Sequence, residues 1–318
     1  MRREFVQLAH RLGDRDKVGG AFVSPKLDGV RALWDGGATR GLPVSLVPWA
    51  NTERDVGEKV STGLWSRLGK VIPAPDWWLD GLPVEVALDG ELWMSYGVGL
   101  EEVMAVKRIE DRSVWSEVRY MVFDRPSLGF LGEGEIVYDA RTRKRWAGTT
   151  MGQSGFVESG MPFSRRRGLL QPLSGVGGVL GVVEYTQLAK DENGARGELE
   201  RLLERELDRG GEGLMVRAPG DLWLPQRRRG LLKVKPTLEG VGVVVNHTPG
   251  EGKLAGLMGA VVVEWMGKTL RVSGFTDAER KWDVVERKWP VGGKIEFKFT
   301  SLTSAGVPRE ARYDRGEE

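Results

Sequence analysis

The sequence is organised around the hexapeptide Lys-Leu-Asp-Gly-Val-Arg at positions 26–31, which lies between two short apolar runs. The runs Ala21–Val23 and Val30–Trp34 have the length and composition of strands, and Asp28-Gly29 is a turn signal, so the pattern predicts a β-hairpin. A lysine at a strand end, close to a carboxylate and an arginine, is suited to act as a nitrogen nucleophile beside groups that bind a sugar or a metal. An ordinary hairpin whose charges face water explains the hexapeptide equally well.

Length and cysteine content limit the classes of protein that this chain can represent. The 318 residues suffice for two domains with a buried core. No apolar run approaches the ~20 residues that span a bilayer, and no signal-peptide core follows the basic start, so we expect a cytoplasmic protein. Zero cysteines exclude disulfides and thiolate chemistry, and two histidines argue against a histidine metal centre or a serine–histidine triad. The nucleophile is then Lys, Ser, Thr, Asp or Glu.

The net charge is only +2, but the cations are clustered at 141–145, 165–167 and 227–229. Clustered arginines in a nearly neutral protein indicate a surface for a polyanion. The alternative for any single cluster is a solvated face balanced by nearby carboxylates.

The first two thirds of the chain predict a mixed α+β domain. Helical spacing of apolar residues is found at 4–12, 100–109 and 198–207, and strand-like runs are found at 84–88, 118–124, 182–186, 212–217 and 231–236.

After Pro236 the pattern changes to short strands with glycine-rich turns, together with a brief helix predicted at 277–282. Such a pattern fits a small barrel of the oligonucleotide-binding (OB) type. We therefore expect two domains, 1–236 and 237–318, with a hinge near Pro236.

Four segments of the first domain place charged residues at a strand end or a turn. They carry Lys26, Asp28 and Arg31; Asp89 and Glu91; Glu212 and Arg217; and Lys233 and Lys235. Lys233 and Lys235 lie on one face of a strand, where two ammonium groups can bind an α-phosphate and disfavour a protonated Lys26. Glu91 and Glu212 can hold Mg²⁺ or a ribose hydroxyl. This set suits attack of a lysine on a nucleotide α-phosphate, although each carboxylate–cation pair can equally be a structural ion pair.

The order of these motifs resembles the covalent nucleotidyltransferases, and more narrowly the minimal ATP-dependent DNA ligases of viruses and bacteria. The matching motifs are Lys-x-Asp-Gly-x-Arg, Asp-Gly-Glu, the aromatic-Asp pair at 123–124, Glu-Gly-x-Met-x-Arg and Leu-Leu-Lys-x-Lys. The resemblance covers nearly the whole chain and implies a nucleotidyltransferase (adenylation) domain with antiparallel sheets and flanking helices, followed by an OB-fold barrel. It also implies an enzyme that uses ATP, with Mg²⁺ or Mn²⁺, to seal nicked double-stranded DNA.

The resemblance implies a role for each matching residue. Lys26 would form the covalent lysyl–AMP, and Asp28 would serve that step or shape the turn. Arg31 and Glu91 would contact the ribose, and Phe123 would stack on adenine. Lys233 and Lys235 would bind the α-phosphate. Glu91 and Glu212 would hold the metal. Arg67 and Arg227 would contact the nick. The family's tail motif, which assists the attack on ATP, is degenerate here, and its candidates are Arg309, Arg312 and Arg315.

Two segments, 37–62 and 125–162, look longer than is usual for the family, and no long insertion interrupts the barrel strands. The second segment carries Arg141, Arg143, Lys144 and Arg145, which we predict to contact the DNA. An RNA ligase, a GTP-dependent mRNA-capping guanylyltransferase and a decayed, non-enzymatic nucleic-acid-binding protein remain as alternatives. We expect a monomer with no obligate protein partner and no membrane association.

Overall fold

The computed structural model of the protein describes residues 5–47, 49–51, 59–98, 100–108, 112–126, 160–303 and 305–315. The chain divides into two compact units, Met1–Val234 and Lys235–Glu318. The expected α+β class, rich in antiparallel sheet, is confirmed. None of the helices in the described ranges has the length and hydropathy needed to cross a membrane.

The described part of the first unit contains two five-stranded sheets. Sheet A has the strand order β1-β10-β9-β2-β8, and sheet B has the order β4-β3-β5-β6-β7. The strands are β1 Leu8–Arg11, β2 Phe22–Pro25, β3 Val30–Asp35, β4 Leu64–Ser66, β5 Ala87–Trp93, β6 Arg119–Asp124, β7 Leu180–Val182, β8 Thr186–Gln187, β9 Leu214–Arg217 and β10 Arg227–Val234.

Short helices connect the strands: α1 Asp76–Leu79, α2 Leu100–Val103, α3 Phe163–Gly168 and α4 Glu192–Asp208. Helix α4 contains the predicted 198–207 segment and starts earlier, because Asp191 caps it by accepting a hydrogen bond from the Gly194 N–H (2.7 Å). Its apolar side packs on sheet A, where Ala195 and Leu199 meet the strand core. The predicted 100–109 helix is shorter, because α2 continues as a 3₁₀ turn at Met104–Lys107.

The predicted hairpin at the hexapeptide is wrong, because its two strands belong to different sheets. β2 pairs with β8 and β9 in sheet A, whereas β3 pairs with β4 and β5 in sheet B. The connection between them passes so close to β5 that a Cβ on Gly29 would lie 2.2 Å from the Leu92 carbonyl oxygen. The hexapeptide is therefore a crossover, and it places Lys26 where the two sheets meet.

The amphipathic helix predicted at 4–12 is also wrong. Residues 8–11 form β1, which runs parallel to β10, with Arg11 beside Lys233. Consecutive residues from Phe5 to Leu8 are all buried, so both sides of this segment contact protein. Pairing at the edge of sheet A outweighs a helical periodicity that spans only two turns.

Two further predictions need correction. The strand expected at 84–88 begins at Ala87 and continues through the Asp-Gly-Glu motif, because β5 is central in sheet B and pairs on both sides. The run 182–186 divides between β7 and β8, which contribute to different sheets.

The second unit is a small closed barrel, as the pattern after Pro236 predicts. Its main sheet has the order β13-β12-β11-β14-β17, and a parallel bridge from Ser273 to Arg312 closes it. Its elements are β11 Leu238–Pro249, β12 Met258–Trp265, β13 Lys268–Val272, α5 Trp282–Lys288, β14 Lys294–Phe299, β15 Ser301–Leu302, β16 Pro308–Arg309 and β17 Arg312–Tyr313.

The helix of this barrel lies later than the predicted 277–282. Residues before it form turns, and α5 begins at Trp282, where Val285 and Trp289 face the barrel core. Burial of that apolar pair, rather than the charged run preceding it, sets the helix position.

Candidate active site

The candidate site lies between the inner faces of sheets A and B. The outer face of sheet B packs into an apolar cluster that includes Trp34, Leu88 and Tyr120, and the outer face of sheet A is covered by α4. Because side chains alternate along a strand, the neighbours of these core residues point to the opposite, inner faces. Charged residues of the predicted motifs occupy these inner faces.

Lys26 and Glu212 meet at the crossover, although 186 positions separate them in the chain. The Lys26 backbone N–H donates to the Gly213 carbonyl (2.8 Å), and its ammonium group donates to the Glu212 carboxylate. Both side chains are partly buried, with 23% and 19% exposed. Nothing in the local sequence indicates that these two residues pair.

Arg31 is held by Asp89 in a two-point contact. Its Nε and one terminal nitrogen donate to the two carboxylate oxygens at 2.6 and 2.7 Å. Asp89 is fully buried, and the antiparallel register places it diagonally across from Arg31. Burial would lower the pKa of Arg31, but the charge of Asp89 raises it above its ordinary value. Arg31 is therefore a fixed cation.

Phe123 lies on the same inner face, near the end of β6. The Arg31 guanidinium lies over its ring, with 4.4 Å to the ring centroid. The Tyr185 hydroxyl donates to the Phe123 carbonyl oxygen (2.8 Å), which anchors the strand end. Phe123 is only partly buried, so it is not an ordinary core aromatic.

Glu91 is the directly opposed neighbour of Arg31 in sheet B. Burial raises the pKa of Glu91 to about 7, while the charges of Arg31 and Lys26 act in the opposite direction. The negative charges of Asp89 and Glu212 add to the rise. Motif residues from both sheets therefore act on one carboxyl group.

Asp28 lines a small cavity together with Lys26 and Glu212. Trp93 and Tyr96, which follow the Asp-Gly-Glu motif, complete its wall. A larger cavity of about 440 Å³ lies at the other end of β3, around Trp34, and contains none of the predicted site residues.

Lys233 lies in β10 opposite Met215. Arg217, two residues beyond Met215 on the same face, reaches across to Asp124 of sheet B. Lys233 therefore shares the inner face of sheet A. Lys235 is the first residue of the second unit, so its approach to the site remains a prediction.

The predicted DNA contacts are only partly described. Arg67 is exposed in the turn after β4, and Arg227 is exposed at the start of β10, where it donates to the Ala9 carbonyl. Arg141, Arg143, Lys144 and Arg145 lie outside the described residues. In the barrel, Arg315 is bound to Glu279 (2.7 Å) and to the Gly274 carbonyl (2.8 Å).

The basic cluster at 165–167 is not a uniform surface for a polyanion. Arg166 is 1% exposed, and it donates two hydrogen bonds to the Asp124 carboxylate, at 2.8 and 3.0 Å. Arg217 donates to the same carboxylate from sheet A. Burial would raise the pKa of Asp124, but these two cations hold it below its ordinary value. The buried cluster of Asp124, Arg166 and Arg217 joins α3 and both sheets, and no local sequence pattern indicates it.

Asp89 also receives a hydrogen bond from the Trp223 indole, at 2.7 Å. Trp223 is 8% exposed and lies in the loop before β10. Trp223 is not among the predicted site residues, because nothing in its local sequence pattern indicates a carboxylate partner.

The carboxylates of the site fit a divalent metal that is shared with a substrate. Within the described ranges, no three His, Asp or Glu side chains group closely enough to hold a metal ion by themselves. Mg²⁺ commonly binds one or two carboxylates and completes its shell with water and substrate phosphates. Burial is the main cause of the raised pKa of Glu91, and repulsion from Asp89 and Glu212 adds to it. A bound cation would relieve that repulsion.

Comparisons with known proteins relate the chain to DNA ligases. Residues 249–316 match the family described as the DNA ligase OB-like domain. The chain is 25% identical over 301 residues to a DNA ligase of Haemophilus influenzae, covering 94% of this chain and 87% of that protein.

Solved structures show the same fold. A structure from a study of Lig E DNA ligases, described as binding DNA with a minimal scaffold, superposes with a TM-score of 0.69 at 28% identity and covers 98% of both chains. A second structure, Pmar-Lig_PreS3, has a TM-score of 0.69 at 21% identity, covering 97% of this chain and 66% of its own. The resemblance to the minimal DNA ligases that the motifs indicate is therefore confirmed.

Proposed function

We propose that the protein is an ATP-dependent DNA ligase that seals nicks between a 3′-hydroxyl and a 5′-phosphate in duplex DNA. The observation that supports this most directly is the crossover at 26–31, which brings Lys26, Glu212, Arg31 and Glu91 to one cleft between the sheets. The domains are 1–236 for nucleotidyl transfer and 237–318 for the barrel.

In the first step the Lys26 amine attacks the α-phosphorus of ATP. The new P–N bond forms as the bond to the leaving oxygen breaks, pyrophosphate departs, and the amine loses a proton to solvent. Lys26 can attack only as the neutral amine, so its ion pair with Glu212 has to open first. Lys233 and Lys235 neutralise the α-phosphate and disfavour a third ammonium group nearby.

The nucleoside is held by sheet B. Arg31 and Glu91 face the ribose, and Phe123 stacks on adenine. The Arg31 guanidinium already lies over the Phe123 ring, so binding of the base requires the two to share or exchange that face.

In the second step AMP moves from Lys26 to the 5′-phosphate of the nick. In the third step the 3′-hydroxyl attacks that phosphate and expels AMP. Mg²⁺ or Mn²⁺, held by Glu91 and Glu212 with Asp28 nearby, would neutralise phosphate charge and orient the leaving groups.

The DNA is held mainly by its backbone, because a ligase has to seal any sequence. Arg67 and Arg227 contact the nick, and Arg141, Arg143, Lys144 and Arg145 contact flanking phosphates. Deleting 127–160 should weaken binding to nicked duplex and reduce the slope of log affinity against log salt. Unchanged affinity and slope would contradict this assignment.

The test of the whole proposal is covalent labelling. The protein is incubated separately with α-labelled ATP, GTP and NAD⁺ plus Mg²⁺, and is then denatured. We expect acid-labile label from ATP only, lost in Lys26→Ala and retained in Lys190→Ala, a control at an exposed lysine. Label from GTP would instead indicate a capping enzyme, and no label would refute nucleotidyl transfer.

A second assay compares sealing of a nicked DNA duplex with sealing of a nicked RNA duplex. We expect efficient sealing of DNA. Preference for RNA would overturn the substrate assignment while leaving the chemistry intact.

A further inference from the structure

We propose that Trp223 is a positioning residue for nucleotide binding, which fixes the Arg31 guanidinium through Asp89. The inference rests on the proposed function, because Arg31 is assigned there to the ribose. It concerns a residue outside the motifs that carry the family resemblance.

The Asp89 carboxylate is shared by two donors from different parts of the chain. One oxygen accepts from Arg31 Nε at 2.6 Å. The other accepts both from a terminal Arg31 nitrogen and from Trp223 Nε1, each at 2.7 Å. Asp89 is fully buried, so water does not replace a lost donor at low cost.

The indole bond decides how the carboxylate is oriented. Rotation of an aspartate carboxylate about its last torsion meets only a broad, shallow barrier. Asp89 binds the Arg31 guanidinium along one edge. Arg31 also donates a longer bond of 3.3 Å to the Gln7 carbonyl and lies over the Phe123 ring. A third, fixed donor on Asp89 therefore restricts the plane in which the Arg31 fork can lie.

The loop before β10, which carries Trp223, also restrains Gln7, whose carbonyl accepts the longer bond from Arg31. The Gln7 amide donates to the Asp221 carboxylate at 2.6 Å, and Asp221 precedes Trp223 by two residues. The loop before β10 thus supports both groups that accept hydrogen bonds from Arg31, the Asp89 carboxylate and the Gln7 carbonyl. Its own position is set by burial, since Trp223 packs with Phe5 and Leu8 in an apolar cluster.

The packing of Trp223 does not require its N–H. A phenylalanine would fill most of the same apolar surroundings, so the N–H is the part of the side chain that serves Asp89. Trp65 provides a matched comparison, because it lies in the same cluster and its indole donates to buried Asp35 at 3.0 Å. The Asp35 carboxylate accepts from Thr39 and Trp65, and among the described residues it makes no hydrogen bond to a motif residue of the site.

The experiment measures adenylation kinetics of the full chain with ATP and with 2′,3′-dideoxy-ATP, which lacks the ribose hydroxyls. For Trp223→Phe we expect kcat/KM with ATP to fall at least about fivefold, mostly through KM, since a hydrogen bond to a charged group is lost. With the dideoxy nucleotide the wild type and Trp223→Phe should differ by less than about twofold, because the group that Arg31 would bind is gone. Trp65→Phe should match the wild type with both nucleotides.

Circular dichroism and thermal unfolding check that both variants fold. An equal loss with both nucleotides, an equal loss in Trp65→Phe, or no loss with ATP would each overturn the inference while the wild type still labels. A wild type that forms no adenylate with ATP would overturn the proposed function, and this inference with it.

Discussion

Asn in place of Asp124 should destabilise the first unit strongly. The variant removes the carboxylate charge that pairs with both Arg166 and Arg217, which are 1% and 2% exposed. Breaking a buried pair by removing one partner costs about 3–5 kcal/mol, because the remaining charge stays buried and uncompensated. Here two guanidinium groups are affected, so we expect a value at the upper end of that range.

Equilibrium urea denaturation, followed by tryptophan fluorescence and circular dichroism, measures this loss. With a slope of about 3 kcal/mol per molar urea, the midpoint should fall by about 1–2 M. Arg40→Gln is the control, since Arg40 pairs with Asp76 and Asp80, whose side chains are 85% and 65% exposed. Exposed pairs contribute about 0–1 kcal/mol, so its midpoint should hardly move.

The comparison between the two variants can refute this reasoning. If Asp124→Asn and Arg40→Gln shift the midpoint equally, then burial of Asp124, Arg166 and Arg217 does not determine how much their ion pairs contribute to the free energy of unfolding. A double variant, Asp124→Asn with Arg166→Met, should recover part of the loss, because one unpaired buried charge is removed.

Three further results are expected. Gly29→Ala should lower the free energy of unfolding by about 1–3 kcal/mol in the same denaturation assay, because its Cβ would meet backbone at 2.2 Å; a neutral effect would contradict the tight crossover. Tyr120→Phe should cost about 1–3 kcal/mol, because its buried hydroxyl bonds strand carbonyls of β3 and β5 at 3.0 and 2.7 Å; a loss under about 0.5 kcal/mol would argue against this role. Hydrogen bonds from Arg315, and further ones from Thr276, hold the pKa of Glu279 at about 2, below its ordinary 4.5. Arg315→Gln should therefore destabilise the barrel above pH 4.5, and the difference from wild type should vanish as the pH falls toward 2, measured by thermal unfolding across that range. A stability difference between wild type and Arg315→Gln that grows on acidification would contradict this role of Arg315.

Local chemistry and motif order made the class of protein predictable from the sequence. The lysine motif, the two carboxylate motifs and the paired lysines occur in the order of a nucleotidyltransferase, and each is a short segment that can be recognised without knowing its neighbours. The barrel was predictable for a related reason, since short strands with glycine turns leave few alternatives.

The partners of these residues were not predictable in the same way. Lys26 binds Glu212 and Asp89 binds Trp223, at separations of 186 and 134 positions. Arg166 looked like part of a solvated basic cluster, yet it is buried against Asp124. Such contacts depend on which strands pair, and that choice is made by the whole core rather than by either segment.

The hexapeptide at 26–31 shows most clearly what the sequence determines and what the tertiary structure decides. By itself, the sequence determined that a lysine, a carboxylate and an arginine lie close together at a turn between two strands. Only the tertiary structure decided that the turn is a crossover between two sheets, because each flanking strand gains more by pairing within its own sheet than by pairing with the other. That choice opens the cleft in which Lys26 and Arg31 face one site.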